Sequence, residues 1–113
     1  MQMKPQYNPA DCQKLIEEKI DIPFFRAVFD PVRSNLIVFL ASNGEMTIGA
    51  IAENFPQNRS VISRHLDMLH RFGAVERRKD GREVYYQVNV EFVADKFSVT
   101  ADNMKALMSL NRK

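Results

Sequence analysis

The sequence predicts a mainly α-helical domain carrying a small β-hairpin, and three observations support that reading. Apolar residues recur at three- and four-residue spacing through most of the chain, the period of a helix with one buried face. Two such segments lie on either side of Pro56-Gln57-Asn58, and the second is basic on its outer side. Further on, Asp80-Gly81 interrupts two β-prone runs, a strong short-range hairpin signal. Helices, a helix-turn-helix and a hairpin in that order make a winged helix-turn-helix, with about five to six helices plus a two-stranded wing.

Residues 1–8 read as a flexible N-terminal tail, and residues 9–113 as one domain. Asn8-Pro9 starts the first helix, with Asn as cap and Pro at the first helical position. Cys12, Leu15, Ile16 and Ile20 form its apolar stripe. Asp21-Ile22-Pro23 breaks that helix and opens another, in which Phe25, Val28 and Phe29 share a face. Asp30-Pro31 resets the chain for a third helix, whose buried stripe is Val32, Leu36, Phe39 and Leu40 and whose stop is Asn43-Gly44. Thr47 caps a short helix from Ile48 to Phe55 with Ile48, Ile51, Ala52 and Phe55 inward, and Pro56 ends it. Ala52 suits a close crossing with the helix that follows.

That following helix runs from an Asn58 cap to Gly73, and its two faces differ. Ile62, Leu66 and Leu69 fall on one stripe; Ser60, Ser63, Arg64, Asp67 and Arg71 lie opposite. A helix whose N-terminal half turns Ser and Arg outward can enter a DNA major groove, where its dipole favours phosphate and Arg can reach guanine bidentately. Ser60, Ser63 and Arg64 are therefore the candidates for base edges, with Arg59 next. Taken alone, the stretch is also compatible with an ordinary amphipathic surface helix.

After Gly73, Val75–Lys79 and Arg82–Val88 flank the Asp-Gly turn, with Val84, Tyr86 and Val88 alternating inward. Lys79 and Arg82 at the tip, with Arg77 or Arg78, are candidates for phosphate contacts; charged tips also keep exposed edges soluble. The last segment, Asn89 to Lys113, is a long helix with Val93, Phe97, Met104, Leu107 and Met108 at helical spacing. Together with Cys12, Leu15 and Ile16 this leaves two terminal apolar stripes in a chain that already has a core. Such stripes most simply pack on a second copy, since two-fold DNA sites match two-fold proteins; packing back on the same domain is the competing arrangement.

The chain has 113 residues, 45% of them hydrophobic and 27% charged, which fits a soluble globular domain. No apolar run approaches the ~20 residues of a membrane span, and the N-terminus lacks a secretion signal's apolar core, so no membrane partner and a cytoplasmic home are expected. The net charge of +2 is uninformative, but its distribution is not. From Gln57 to Arg82 there are seven Lys/Arg and three acids, against nine and eleven elsewhere, so one basic segment sits on a slightly acidic body. Both histidines, His65 and His70, lie on one helix, and no Ser/His/Asp set or phosphate-cradling glycine loop appears, which speaks against an enzyme. A winged helix that mediates protein assembly without touching DNA is the stronger alternative.

Three stretches resemble one family. Phe29-Asp30-Pro31-Val32-Arg33 is similar to the Asp-Pro-x-Arg entry of the ArsR/SmtB family of winged-helix repressors, Ser60-Val61-Ile62-Ser63-Arg64-His65-Leu66 to its recognition-helix core, and Asp80-Gly81-Arg82-Glu83-Val84-Tyr85-Tyr86 to its wing. The resemblance spans about residues 24 to 88. It implies a homodimer that binds double-stranded operator DNA and represses transcription, commonly released by an effector, here unidentified. The family's metal sites do not carry over. Thr47 and Gly49 stand where one site has its Cys-x-Cys pair, and the final helix has no histidine for the other. A member without metal or cofactor is expected. The lone Cys12 remains a candidate redox sensor, although single cysteines most simply fill apolar space.

Overall fold

A computed structural model describes residues 8–110; of the expected tail, residues 1–7 lie outside the described residues. Within them, six helices and three short strands follow in the order α1 (Pro9–Lys19), α2 (Ile22–Phe29), α3 (Pro31–Asn43), β1 (Met46–Thr47), α4 (Ile48–Ala52), α5 (Arg59–Arg71), β2 (Val75–Asp80), β3 (Glu83–Val88) and α6 (Val90–Leu110). They divide into two compact units, Pro23–Val93 and one that joins the segment up to Ile22 with the segment from Ala94 onward.

The helix starts are set by side chains that satisfy first-turn amides. Asn8 Oδ1 accepts from Asp11 N at 2.8 Å, Asp30 Oδ2 from Val32 N and Arg33 N at 3.1 Å, Thr47 Oγ1 from Ala50 N at 3.2 Å, and Asn58 Oδ1 from Val61 N at 3.0 Å. In Pro23–Val93, α2 to α5 and the strands converge on a core of Phe24, Val28, Leu36, Leu40, Ile51, Ile62, Leu66, Leu69, Ala74, Val75 and Tyr86. The α3 and α5 stripes thus face inward as their spacing predicts.

Three local expectations are corrected. In α2 the inner face is Phe24, Ala27 and Val28, while Phe29 is 62% exposed and stacks on a half-buried Phe25. The segment Ile-Pro-Phe-Phe-Arg-Ala-Val-Phe is apolar on adjacent faces, so spacing alone does not choose between them. Helix α4 ends at Ala52, not Phe55, because Asn54 N and Phe55 N turn to Ile51 O and Ala52 O in three-residue bonds before Pro56. Phe55 still packs inward, edge-on to Phe39.

The third correction concerns the sheet. It has three antiparallel strands in the order β1-β3-β2, because Met46 and Thr47 pair with Tyr86 and Tyr85. The wing hairpin pairs Asp80 with Glu83, so the two-residue loop is Gly81-Arg82 and not Asp80-Gly81. Gly81 has φ 63° and Arg82 does not share that sign, the pattern of a turn with glycine first. At the other end of β2, Gly73 closes α5 with φ 85°, and a Cβ there would meet the Phe92 ring at 2.7 Å.

In the second unit, Lys96 Nζ meets Asp21 Oδ2 at 2.9 Å, and Asn103 Nδ2 donates to Lys19 O at 2.7 Å. Apolar burial there is sparse. Helix α1 contains no fully buried residue, and Ile16, Phe97, Val99, Met104 and Met108 are all exposed. Among the described residues no helix is long and apolar enough to cross a membrane.

Candidate nucleic-acid interface

Burial of the stripe Ile62, Leu66 and Leu69, none with any exposure, leaves the opposite side of α5 to solvent. Arg59, Ser60 and Arg64 are exposed there and Ser63 is half-buried. Ser60 Oγ donates to the capping Asn58 Oδ1 at 2.7 Å, which turns this hydroxyl toward the helix start. The Arg59 guanidinium leans over α4, with Nη1 3.5 Å from where a Cβ on Gly49 would sit. Arg64 makes no ion pair with any described residue.

Behind this face, Arg33 reaches α5 from α3. Its Nε donates to Ala27 O at 2.6 Å and its Nη1 lies 3.2 Å from His65 Nδ1. A guanidinium only donates, so Nδ1 is the accepting nitrogen. His65 is thereby placed as a structural contact between the α3 entry and α5.

The three cations of β2 are divided by the two-residue period of a strand, and Arg82 lies in the loop beyond them. Arg77 and Lys79 face α5 and line a groove of about 500 Å³ together with Ile48, Ser63, Asp67, Val84 and Tyr86. Within it, Asp67 Oδ1 accepts from Arg77 Nη1 and from the Tyr86 hydroxyl, both at 3.4 Å. Burial pushes the Tyr86 phenol up, so it stays protonated and donating. Asp67 is thus not a bare carboxylate beside the helix but one held by the wing. Arg78 points the other way. Its Nε and Nη2 grip Glu45 at 3.0 and 2.9 Å, its Nη1 lies 3.5 Å from Asp80, and its guanidinium carbon sits 4.4 Å over the Tyr85 ring. Lys79 and Arg82 are exposed and without an ion-pair partner among the described residues.

Sequence spacing groups Arg77, Arg78, Lys79 and Arg82; the structure brings Arg77 and Lys79 together and sends Arg78 away. Glu45 and Tyr85 escape sequence reasoning as partners. Glu45 lies 33 residues from Arg78, and β2, charged at every position after Val75, shows no apolar alternation that would sort its faces. Among the expected dimer residues, Val93 packs against the core of Pro23–Val93, and Cys12, Leu15 and Leu107 are half-buried. Among the described residues, no three His, Cys, Asp or Glu side chains gather where they could hold a metal ion.

A basic helix fixed outward on a helix-turn-helix, beside a cationic hairpin, defines a winged helix-turn-helix protein. The model of the family described as "Bacterial regulatory protein, arsR family" matches residues 30–77. The chain is 34% identical over 71 residues to the transcriptional repressor SdpR of Bacillus subtilis, covering 63% of this chain and 78% of that protein. It is 36% identical over 88 residues to a probable mercury resistance operon repressor of Streptomyces lividans, covering 74% and 70%. Among solved structures, a possible transcriptional regulator for arsenical resistance superposes with a TM-score of 0.64 at 35% identity, covering 71% of this chain and 82% of that one. The chain belongs to the arsR family of bacterial transcriptional regulators.

Proposed function

We propose that this chain is a cytoplasmic homodimeric repressor that binds double-stranded operator DNA and needs no metal to do so. The observation that carries the reading is the outward half of α5, with Arg64 unpaired on a fully packed base, beside a wing whose Lys79 and Arg82 are also unpaired among the described residues. Ser60, Ser63 and Arg64, with Arg59 behind them, meet base edges, and Lys79 and Arg82 meet phosphates. Residues 9–113 act as one DNA-binding domain whose terminal helices supply the dimer contact. Support for the dimer is the exposure of Ile16, Phe97, Met104 and Met108 at 36%, 44%, 51% and 57%, more apolar surface than terminal helices ordinarily leave in water.

Independence from metal is supported by Thr47 and Gly49 where the family's thiolate pair would stand and by the lack of histidine after His70. An effector, if one acts, is therefore a different kind of molecule or an oxidant of Cys12. Titration of duplex DNA tests the core of the reading. Binding at moderate salt, by a species of twice the chain mass in sedimentation, is the expected result. Negligible affinity for any duplex would leave only a protein-assembly role. Tight, stoichiometric zinc binding that weakens DNA affinity would remove the metal-independent part alone.

A further inference from the structure

Arg78 is the wing cation whose surroundings suit DNA least. In the sheet order β1-β3-β2 it pairs across to Tyr85, and Tyr85 pairs onward to Thr47, so the three residues form one row over all three strands. The guanidinium lies over the Tyr85 ring and reaches past it to Glu45, just ahead of β1. Strand β1 runs directly into α4, the first helix of the helix-turn-helix. All three guanidinium nitrogens already face a carboxylate oxygen, two of them on Glu45 and one on Asp80. Two acids outweigh the one base within this cluster, so Arg78 itself offers a phosphate little attraction.

We propose that Arg78, stacked on Tyr85 and forked onto Glu45, is a positioning residue that sets the wing against the helix-turn-helix and does not contact DNA. This rests on the DNA-binding reading above and separates two roles within the wing, since Lys79 and Arg82 bind whereas Arg78 orients. Isolated surface ion pairs contribute little. A forked guanidinium on a carboxylate, stacked on an aromatic ring, has the directionality such pairs lack, and lysine cannot reproduce it. Glu45 then matters for DNA binding although its charge opposes that of DNA.

The proposal is tested by fluorescence anisotropy of the full chain on a duplex across a salt series. Glu45→Gln, Arg78→Ala and Arg78→Lys each weaken binding roughly threefold to fivefold with an unchanged salt slope, and the double variant Glu45→Gln/Arg78→Ala is no weaker than either single one. Lys79→Ala, as the comparison, lowers the slope by ~0.9. The proposal is overturned if Glu45→Gln binds as well as or better than the unaltered chain, if Arg78→Lys binds normally, or if Arg78→Ala lowers the slope as Lys79→Ala does. Should the unaltered chain bind no duplex, the functional reading fails separately. Amide exchange in β2 and β3 then decides the strut: faster exchange in Glu45→Gln upholds it, and unchanged rates overturn it.

Discussion

Helix α5 and strand β2 carry most of the cations of the winged unit, and they are held by different forces. Under α5, Ile62, Leu66 and Leu69 have no solvent exposure, so apolar packing fixes the direction of Arg64. In β2 five of six residues are exposed and only Val75 is buried. What orients that strand beyond its backbone ladder is charge: Arg77 to Asp67 on one face and Arg78 to Glu45 on the other. Apolar packing has no charge to screen or titrate, whereas exposed ion pairs respond to both salt and pH. The two halves of the interface are therefore separable by experiment.

The largest expected effect falls on the packed side. Leu66→Ala costs ~2–5 kcal/mol by leaving a cavity under α5, read as a lower urea midpoint; a loss comparable to that of a surface substitution would contradict the role given to the stripe. Arg64→Ala comes next, weakening operator binding by ~1–3 kcal/mol and relaxing preference at one base pair. An equal loss on all sequences would make Arg64 a phosphate contact instead. Asn58→Ala removes the acceptor for Val61 N and costs ~1 kcal/mol of stability, whereas Asn58→Gly costs only a few tenths.

The smallest effect lies in the wing and depends on pH. The Arg78 hydrogen bonds hold the Glu45 carboxyl below the usual carboxylate range, against a smaller opposing effect of desolvation. A lowered carboxylate value means that the contact contributes fully above the ordinary glutamate pKa of about 4.3 and is lost as pH falls through the lower folded value. The Arg78 Nε–H resonance should hold its position down to that range and move only beneath it. Glu45→Gln should abolish the movement; a resonance that titrates identically in that variant would remove Glu45 as its partner.

The same contrast explains what the sequence discloses. Capping residues and packed stripes act over three or four positions, so Asn8, Asp30, Thr47 and Asn58 mark helix starts correctly and Ile62, Leu66 and Leu69 mark the buried side of α5. Long-range choices leave no local mark. Two-residue β1 has no pattern of its own and exists because β3 offers it an edge. Nothing near Arg78 indicates Glu45, and nothing near Asp67 indicates that Arg77 and Tyr86 will hold it. The hairpin is legible as a hairpin, but its loop lies one residue later than Asp-Gly suggests, since the strand register and not the dipeptide places glycine first. The Ser and Arg candidates on α5 can be named from spacing, while the sorting of wing cations requires the sheet.

Selection of bound fragments from random duplex DNA tests the central claim most directly. A two-fold regulator with α5 in successive major grooves should enrich inverted half-sites whose centres lie one helical turn, ~34 Å, apart. Recovery of a single unrepeated half-site would contradict the dimer, and no enrichment over input would contradict the assignment of α5 and the wing to DNA.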